Sequence, residues 1–431
     1  MLLYGVIVLS PLLLVRFARP MTDHGFVFTV GKNLALVGFT ILALQFVVSA
    51  RFPWVERPFG LNVLFYFHKA MAVIASLLLL SHPMLLALGG NEWSLIFGPQ
   101  VIWHIWLGRI ALLIILVHVW LATFRLVVKM NYETWRFVHN LGAVLILPLG
   151  FYHSWKAGGD LQLPWMKTLW AALLLTAVAS YFRHRVLRPV LLRRYPYQVT
   201  EVRREAEGVW TITLVPPEGV PRFDYLPGQF HFLTFQRAPN LPVEEHPWTI
   251  SSSPTAPGVL CSTIKESGDF TVSIGKTHPG DTALVDGPYG RFSYVLHPHE
   301  RELVFIAAGI GITPLMSMLR HIRDTRAERS VILLYANTRE EDIAFRDELA
   351  DMERAGATSL KVVHVLSKPS DAWEGERGRL NDEHIKRCAG PELAPRAFYV
   401  CGPSMFTQQT IQTLRKARVP ARRIHFERFD L

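Results

Sequence analysis

The sequence predicts a multidomain protein: six membrane-spanning helices in a bundle, then a small antiparallel β-barrel, then an α/β domain with a parallel sheet. Three observations predict it. Half of the 431 residues are hydrophobic, yet almost all long apolar runs lie before residue 185. From about Tyr195 the pattern becomes short alternating strands between Pro- and Gly-bearing turns. From about Glu302 strand-like and helical stretches take turns, the layout of parallel βα units. Expected domains are 1–188, 195–299 and 300–431.

Six apolar runs can be drawn as spans, at residues 2–16, 34–50, 61–88, 102–128, 137–155 and 164–182. Most approach the ~20 residues that a bilayer requires, the first being short. The segments after the second, fourth and sixth carry Arg51, Arg57, Arg125, Lys129, Arg136 and the cluster Arg183, Arg185, Arg188, Arg193 and Arg194. The opposite loops hold Glu92 and Asp160 with fewer basic residues, although Arg16 and Arg19 run against the trend. Positive-inside bias therefore places both termini, and the domains after residue 195, in the cytoplasm. The first run has no charged leader and no small-residue cleavage site, and reads as a retained helix.

The net charge is +10, but no basic stretch alternates with stacking aromatics, so nucleic acid is not an expected partner. Membrane lipid is, because the arginines cluster beside helices. Cys261, Cys388 and Cys401 form no CxxC pair, which fits a reducing compartment and excludes a disulfide framework.

Histidines inside the apolar runs point to chemistry. His68 and His82 are fourteen residues apart, and so are His139 and His153. Fourteen residues is close to four helical turns, so each pair shares a helix face with its rings about 21 Å apart along the axis. Polar rings are costly in lipid and face a bundle interior. The third and fifth spans run in the same direction, so one ring from each meets at equal depth and two planar metal cofactors stack across the bilayer. His104 and His118 on the fourth span repeat the spacing, so geometry alone does not choose two ladders from three; they rank second, as hydrogen-bond partners of a neighbour.

Strands are expected at 197–202, 209–215, 230–235, 246–251 and 260–265, and again at 303–308, 331–336, 361–366 and 397–401. The run His246-Pro247-Trp248-Thr249-Ile250-Ser251-Ser252 suits a flavin: Trp248 covers ring or ribose, Thr249 reaches a ring nitrogen, His246 meets a phosphate, and the hydroxyls of Ser251 and Ser252 line the strand. Ile264-Lys265 and Gly268-Asp269-Phe270-Thr271 then offer amides at a helix start, which favours a diphosphate. In Gly309-Ile310-Gly311-Ile312-Thr313-Pro314 the glycines admit phosphate oxygens, Thr313 is the expected N-cap and Pro314 fits the first helical position, opening the helical stretch 315–323. The turn Cys401-Gly402-Pro403-Ser404-Met405 ends a strand where ligands bind in open α/β sheets. Arg339 follows strand 331–336 and suits a 2′-phosphate, while Glu340, Glu341 and Asp342 suit a ribose hydroxyl; the balance falls to NADPH with tolerance of NADH.

Taken together, these segments resemble the ferric reductase and NADPH oxidase family of transmembrane flavocytochromes, over nearly the whole chain. Phe67-His68-Lys69 and Trp135 to His139 resemble its haem-bearing helices, and His246-Pro247-Trp248-Thr249 its flavin motif. Gly287-Pro288-Tyr289-Gly290, the Gly309 loop and the Cys401 turn follow in the same order. The ending Phe426-Glu427-Arg428-Phe429 is similar to flavohaemoglobin reductase domains. The fifth-span spacing is fourteen, as in ferric reductases, where animal oxidases commonly have thirteen. No EF-hand loop occurs, so calcium control is not expected. The short loops resemble compact bacterial members.

The resemblance implies a haem-binding bundle followed by a ferredoxin-reductase-like module in a bacterial inner or plasma membrane. It implies two haems b, held by His68 with His139 and by His82 with His153, together with FAD and NADPH or NADH. Thr249, Cys401 and Glu427 would shape the hydride-transfer site, with Phe429 stacked on the flavin. The expected partner is a small-molecule or ion acceptor, dioxygen or ferric chelate; a protein partner is compatible but not implied.

Overall fold

The computed structural model describes residues 2–18, 25–125, 127–356, 359–390 and 392–428. The chain forms two compact units: Met1–Glu56 with Val63–Arg188, and Arg57–Asn62 with Pro189–Leu431.

The first unit is helical, built from α1 (Leu2–Ala18), α2 (Phe26–Ser49), the start of α3 (Pro53–Phe59), α4 (Leu61–Gly90) from Val63 on, α5 (Ser94–Phe97), α6 (Trp103–Phe124), α7 (Tyr132–Ala157) and α8 (Pro164–Phe182). Sequence chemistry sets the ends. Asn131 caps α7 by accepting from the Thr134 amide at 2.8 Å, and Pro164 opens α8 where its missing N–H costs nothing. After α8 the helix loosens into a π-turn over Arg183–Leu187 and resumes as α9 (Arg188–Leu192).

Six spans were expected; by length and composition four helices among the described residues can cross a membrane, Phe26–Ser49, Leu61–Gly90, Trp103–Phe124 and Pro164–Leu192. The short α1 is apolar but spans 17 residues. At 26 residues α7 is long enough, but Glu133, Arg136, Lys156 and two histidines dilute its apolar character. Small residues let the helices approach: a Cβ at Gly31 or Gly38 of α2 would press on Leu85 or Leu79 of α4 at 2.9 Å. Phe39 stacks on the buried Trp170 at 5.3 Å, and Lys32 pairs with the buried Asp160 at 2.6 Å.

The second unit holds two six-stranded sheets. The first contains β1 (Tyr197–Ala206), β2 (Val209–Val215), β3 (Phe230–Gln236), β4 (Glu245–Thr249), β5 (Leu260–Lys265) and β6 (Thr282–Tyr289), in the antiparallel order β4-β3-β6-β1-β2-β5. One bridge, Ile250 to Ser262, links the two edges and rolls the sheet towards a barrel around Ile212, Leu214, Leu233, Phe235 and Ile264. Sequence patterning missed β6, whose Gly287-Pro288 disguises a central strand.

The second sheet contains β7 (Glu302–Ala308), β8 (Ser330–Asn337), β9 (Ser359–Leu366), β10 (Glu376–Arg377), β11 (Ala397–Gly402) and β12 (Ile424–Arg428). All are parallel, in the order β10-β9-β8-β7-β11-β12. Helices α10 (Ile312–Thr325), α11 (Arg346–Ala355), α12 (Asp382–Ala389) and α13 (Ser404–Lys416) cover it. The near-continuous apolar strands follow from burial on both faces. The strand order reverses between β7 and β11, so the crevice beyond their carboxyl ends is where such sheets take ligands.

Candidate functional site

In the helical unit His68 and His139 come together. The rings of His68 and His139 lie 6.2 Å apart, and His118 Nε2 meets His139 Nδ1 at 2.7 Å. Towards the other end, His82 Nδ1 lies 3.0 Å from the Gly31 carbonyl and His153 Nδ1 2.9 Å from the His104 carbonyl. A carbonyl only accepts, so both Nδ1 atoms carry the proton and leave Nε2 as the free lone pair, the state of a metal-bound imidazole. His68 Nδ1 is buried with no hydrogen-bond partner among the described residues. Glycines make room for these rings: a Cβ at Gly108 would fall 2.7 Å from the His153 ring, and one at Gly142 2.5 Å from His118. Of the fourth-span histidines, His118 meets a neighbour's ring, whereas His104 offers its backbone carbonyl to His153. The His68 and His139 imidazoles thus fit bis-histidine haem ligation, with His118 behind His139, and His82 and His153 each keep Nε2 free for the same role.

In the barrel, β4 pairs with β3, setting Thr249 opposite Phe230 and His246 opposite Leu233. The rings of His246, Trp248 and Phe270 form one cluster, with His246 4.3 Å from Phe270 and Trp248 stacked on it at 6.5 Å. Trp248 Nε1 is buried without a hydrogen-bond partner among the described residues, a donor suited to a bound ligand. The hydroxyls expected to line a ligand are engaged already: Ser251 with Thr263 at 3.0 Å and Ser252 with Tyr225 at 2.9 Å. His246 Nε2 lies 2.9 Å from Glu244. Thr271 Oγ1 accepts from the amides of Ser267 and Gly268, both at 2.8 Å, and the helix there is a 3₁₀ turn, Thr271–Lys276. Ile264 is core, and Lys265 is half-buried at the end of β5.

The two motifs of the parallel sheet come together. Cys401 pairs with Ala307 across β11 and β7, and a Cβ on Gly311 would clash with the Cys401 carbonyl, so this loop needs glycine. Gly309 has φ +54°. The expected helix start is corrected: α10 begins at Ile312 after the 3₁₀ turn Gly309–Gly311, with Gly311 as N-cap. Thr313 donates to the Ile310 carbonyl at 3.0 Å, and Pro314 falls inside the first turn, where no N–H is needed. Gly402 and Pro403 lead into α13, with Met405 exposed beside them. Arg339 is exposed with a loose contact to Glu341 at 3.4 Å, whereas Glu340 is taken by Ser370 at 2.6 Å.

Glu427 lies beside Cys401 across β12 and β11. Burial pushes its carboxyl up to about 7, opposed by a hydrogen bond from Asn62 of the segment clustered with this unit. Burial, and then Glu427, push the Cys401 thiol up, which keeps it protonated. Phe429 lies outside the described residues.

Sequence reading missed Arg320. It donates to the Ser251 carbonyl at 2.6 Å and pairs with Glu348 at 2.6 Å, while Ser317 donates to the Ser252 carbonyl at 2.7 Å. Ser317, Arg320 and Asp324 share one face of α10 at three- and four-residue spacing, the signal that would have found them.

Comparison with known proteins accords with this layout. Residues 34–150 match the family described as ferric reductase like transmembrane component, 194–293 an FAD-binding domain and 305–412 an oxidoreductase NAD-binding domain. The chain has the domain architecture of ferric reductase and NADPH oxidase-like proteins. The first match and the four apolar helices make it a membrane protein, and the other two make its second unit an FAD- and NAD(P)-binding oxidoreductase module. Among curated relatives, a stachydrine N-demethylase reductase subunit of Rhizobium meliloti is 33% identical over 229 residues, 52% of this chain and 64% of that protein. A glycine betaine monooxygenase reductase subunit of Pseudomonas aeruginosa is 31% identical over 215 residues, 48% of this chain and 57% of that one. The chain therefore spans less than two thirds of either. A flavohaemoglobin from Malassezia yamatoensis shares the fold at TM-score 0.50 and 17% identity, covering 94% of this chain and 96% of that one.

Proposed function

We propose that the protein transfers electrons from cytosolic NAD(P)H, with FAD and two haems as carriers, to an acceptor on the other side of the membrane. The observation that carries this reading is the pairing of His68 with His139, with His82 and His153 held Nε2-free towards the other end. Bound haem supplies single-electron chemistry, and bound FAD exchanges hydride for single electrons.

The residues of the chain do the positioning. Gly309, with open space where a side chain would stand, leaves backbone accessible to a dinucleotide at the switch between β7 and β11. Glu427 and the neutral Cys401 stand at the carboxyl ends of their strands, where a nicotinamide would lie. The Trp248, His246 and Phe270 cluster, with Thr249 at the end of β4, would hold the flavin. Arg339, exposed and weakly held, favours NADPH over NADH; Arg339→Ala is expected to raise the KM for NADPH severalfold and leave that for NADH nearly unchanged.

Two imidazoles per iron leave no open position, so the acceptor would react at the haem edge. Dioxygen and ferric chelates both fit. The test is turnover by the purified protein with NADPH, following oxygen consumption and superoxide against ferric chelate reduction. Superoxide without chelate indicates an oxidase; turnover that is indifferent to oxygen and requires iron indicates a reductase. His68→Ala and His139→Ala variants that kept two haems with unchanged spectra would overturn the ligand assignment. A second reading, electron delivery to a protein partner, is favoured by the relatives being reductase subunits.

A further inference from the structure

Away from the nucleotide crevice, three metal-binding groups converge. His297 and Glu300, on the segment leading into β7, face His425 on β12, and one donor atom of each lies within 4.8 Å of the others. The two imidazoles stack at 4.0 Å, and His425 Nε2 lies 2.9 Å from a Glu300 oxygen. Tyr399 of β11 donates to the other Glu300 oxygen at 2.7 Å. This places a second layer behind the carboxylate, as metal sites require. All three groups are half-buried, so a small hydrated cation can reach them without leaving a buried charge unpaired.

From this geometry we infer that His297, Glu300 and His425 bind one divalent transition-metal ion of the zinc class. Two imidazoles and one carboxylate select against calcium and magnesium, which take oxygen donors. Three protein ligands leave a fourth position for water. The hydrogen bonds already present hold Glu300 in place, and ligation needs the donor atoms to close by about an ångström to reach bonds of about 2.0–2.2 Å.

The site joins the segment before β7 to the edge strand β12. His425 and Glu427 point to the same face of β12, about 7 Å apart along the strand. The ion would therefore clamp the strand that carries Glu427, stabilising it without occupying the nucleotide crevice.

The test uses the full-length protein in detergent with its bound cofactors, stripped of loose metal by a chelator. Titration with ZnCl2 by calorimetry is expected to show one equivalent that His297→Ala and His425→Ala each lose, with affinity falling at least a hundredfold. Tyr399→Phe is expected to weaken binding about tenfold. CoCl2 in place of zinc should give the intense visible bands of four-coordinate cobalt in the parent only. Retained flavin absorbance in each variant shows that the fold survives, and histidines elsewhere contribute equally to parent and variants. The same zinc stoichiometry and affinity in His297→Ala and His425→Ala as in the parent would falsify the site. No binding by the parent would reduce the cluster to a Tyr–Glu–His hydrogen-bond network.

Discussion

A single residue shows how environment divides one ladder from another. His118 has the same spacing to His104 as the other pairs have internally, yet its Nε2 is committed to His139. If the proposed haems are bound, His118→Leu is predicted to keep both and to shift the reduction potential of the one held by His139, because a hydrogen bond to a ligand tunes the metal without holding it. Loss of a haem in redox-titrated spectra would make His118 a ligand instead. Glu427 gives a second residue-scale prediction. Its carboxyl rises from 4.5 to about 7 on folding, so between those values the folded chain holds a proton that the unfolded chain releases. Stability then falls as pH rises through this window and is level above it, by on the order of 3 kcal/mol. Thermal unfolding in mildly acidic and mildly alkaline buffer should show a difference that Glu427→Gln removes.

At the scale of elements, patterning found strands where alternation was clean and missed those where it was not. β2 and β5 fall at the expected residues, because Val, Ile and Thr alternate between obvious turns. β6 was hidden by Gly287-Pro288, and β12 by an ending read for its Glu427 and Phe429 rather than as a strand. The start of α10 was placed late, since a 3₁₀ turn feeding a helix has no signature beyond its glycines. The Gly309 and Cys401 motifs were legible, but their meeting was not, because it depends on β7 lying beside β11. The same helix carries a prediction: α10 holds the barrel through Arg320, whose guanidinium joins Glu348 to the Ser251 carbonyl. Arg320→Ala should destabilise the second unit by about 2–4 kcal/mol, since it strands a part-buried carboxylate and a carbonyl. A denaturation midpoint unchanged by the substitution would sink that account.

For the whole molecule, the two units have separate cores, one of helices and one of sheets. Residues 189–431, expressed alone, are therefore expected to bind FAD and to reduce a soluble dye with NADPH at a rate within about tenfold of the full chain. Release of FAD during purification would show that the helical unit is needed for that fold. Composition made the division visible, because apolar runs end where alternation starts. The number of spans was less legible: ligand histidines and charged ends lower the apolar character of the helix that matters most to the proposed haems.

The glycine notches of α6 and α7 bear on biogenesis. Gly108 accommodates His153 and Gly142 accommodates His118, so these antiparallel helices can zip together as one hairpin as they leave the insertion machinery. That hairpin already presents His139 and His153, while His82 on α4 is oriented from Gly31 on α2. Each proposed porphyrin would then be captured between two preassembled halves, and its arrival would be the event that locks the halves together.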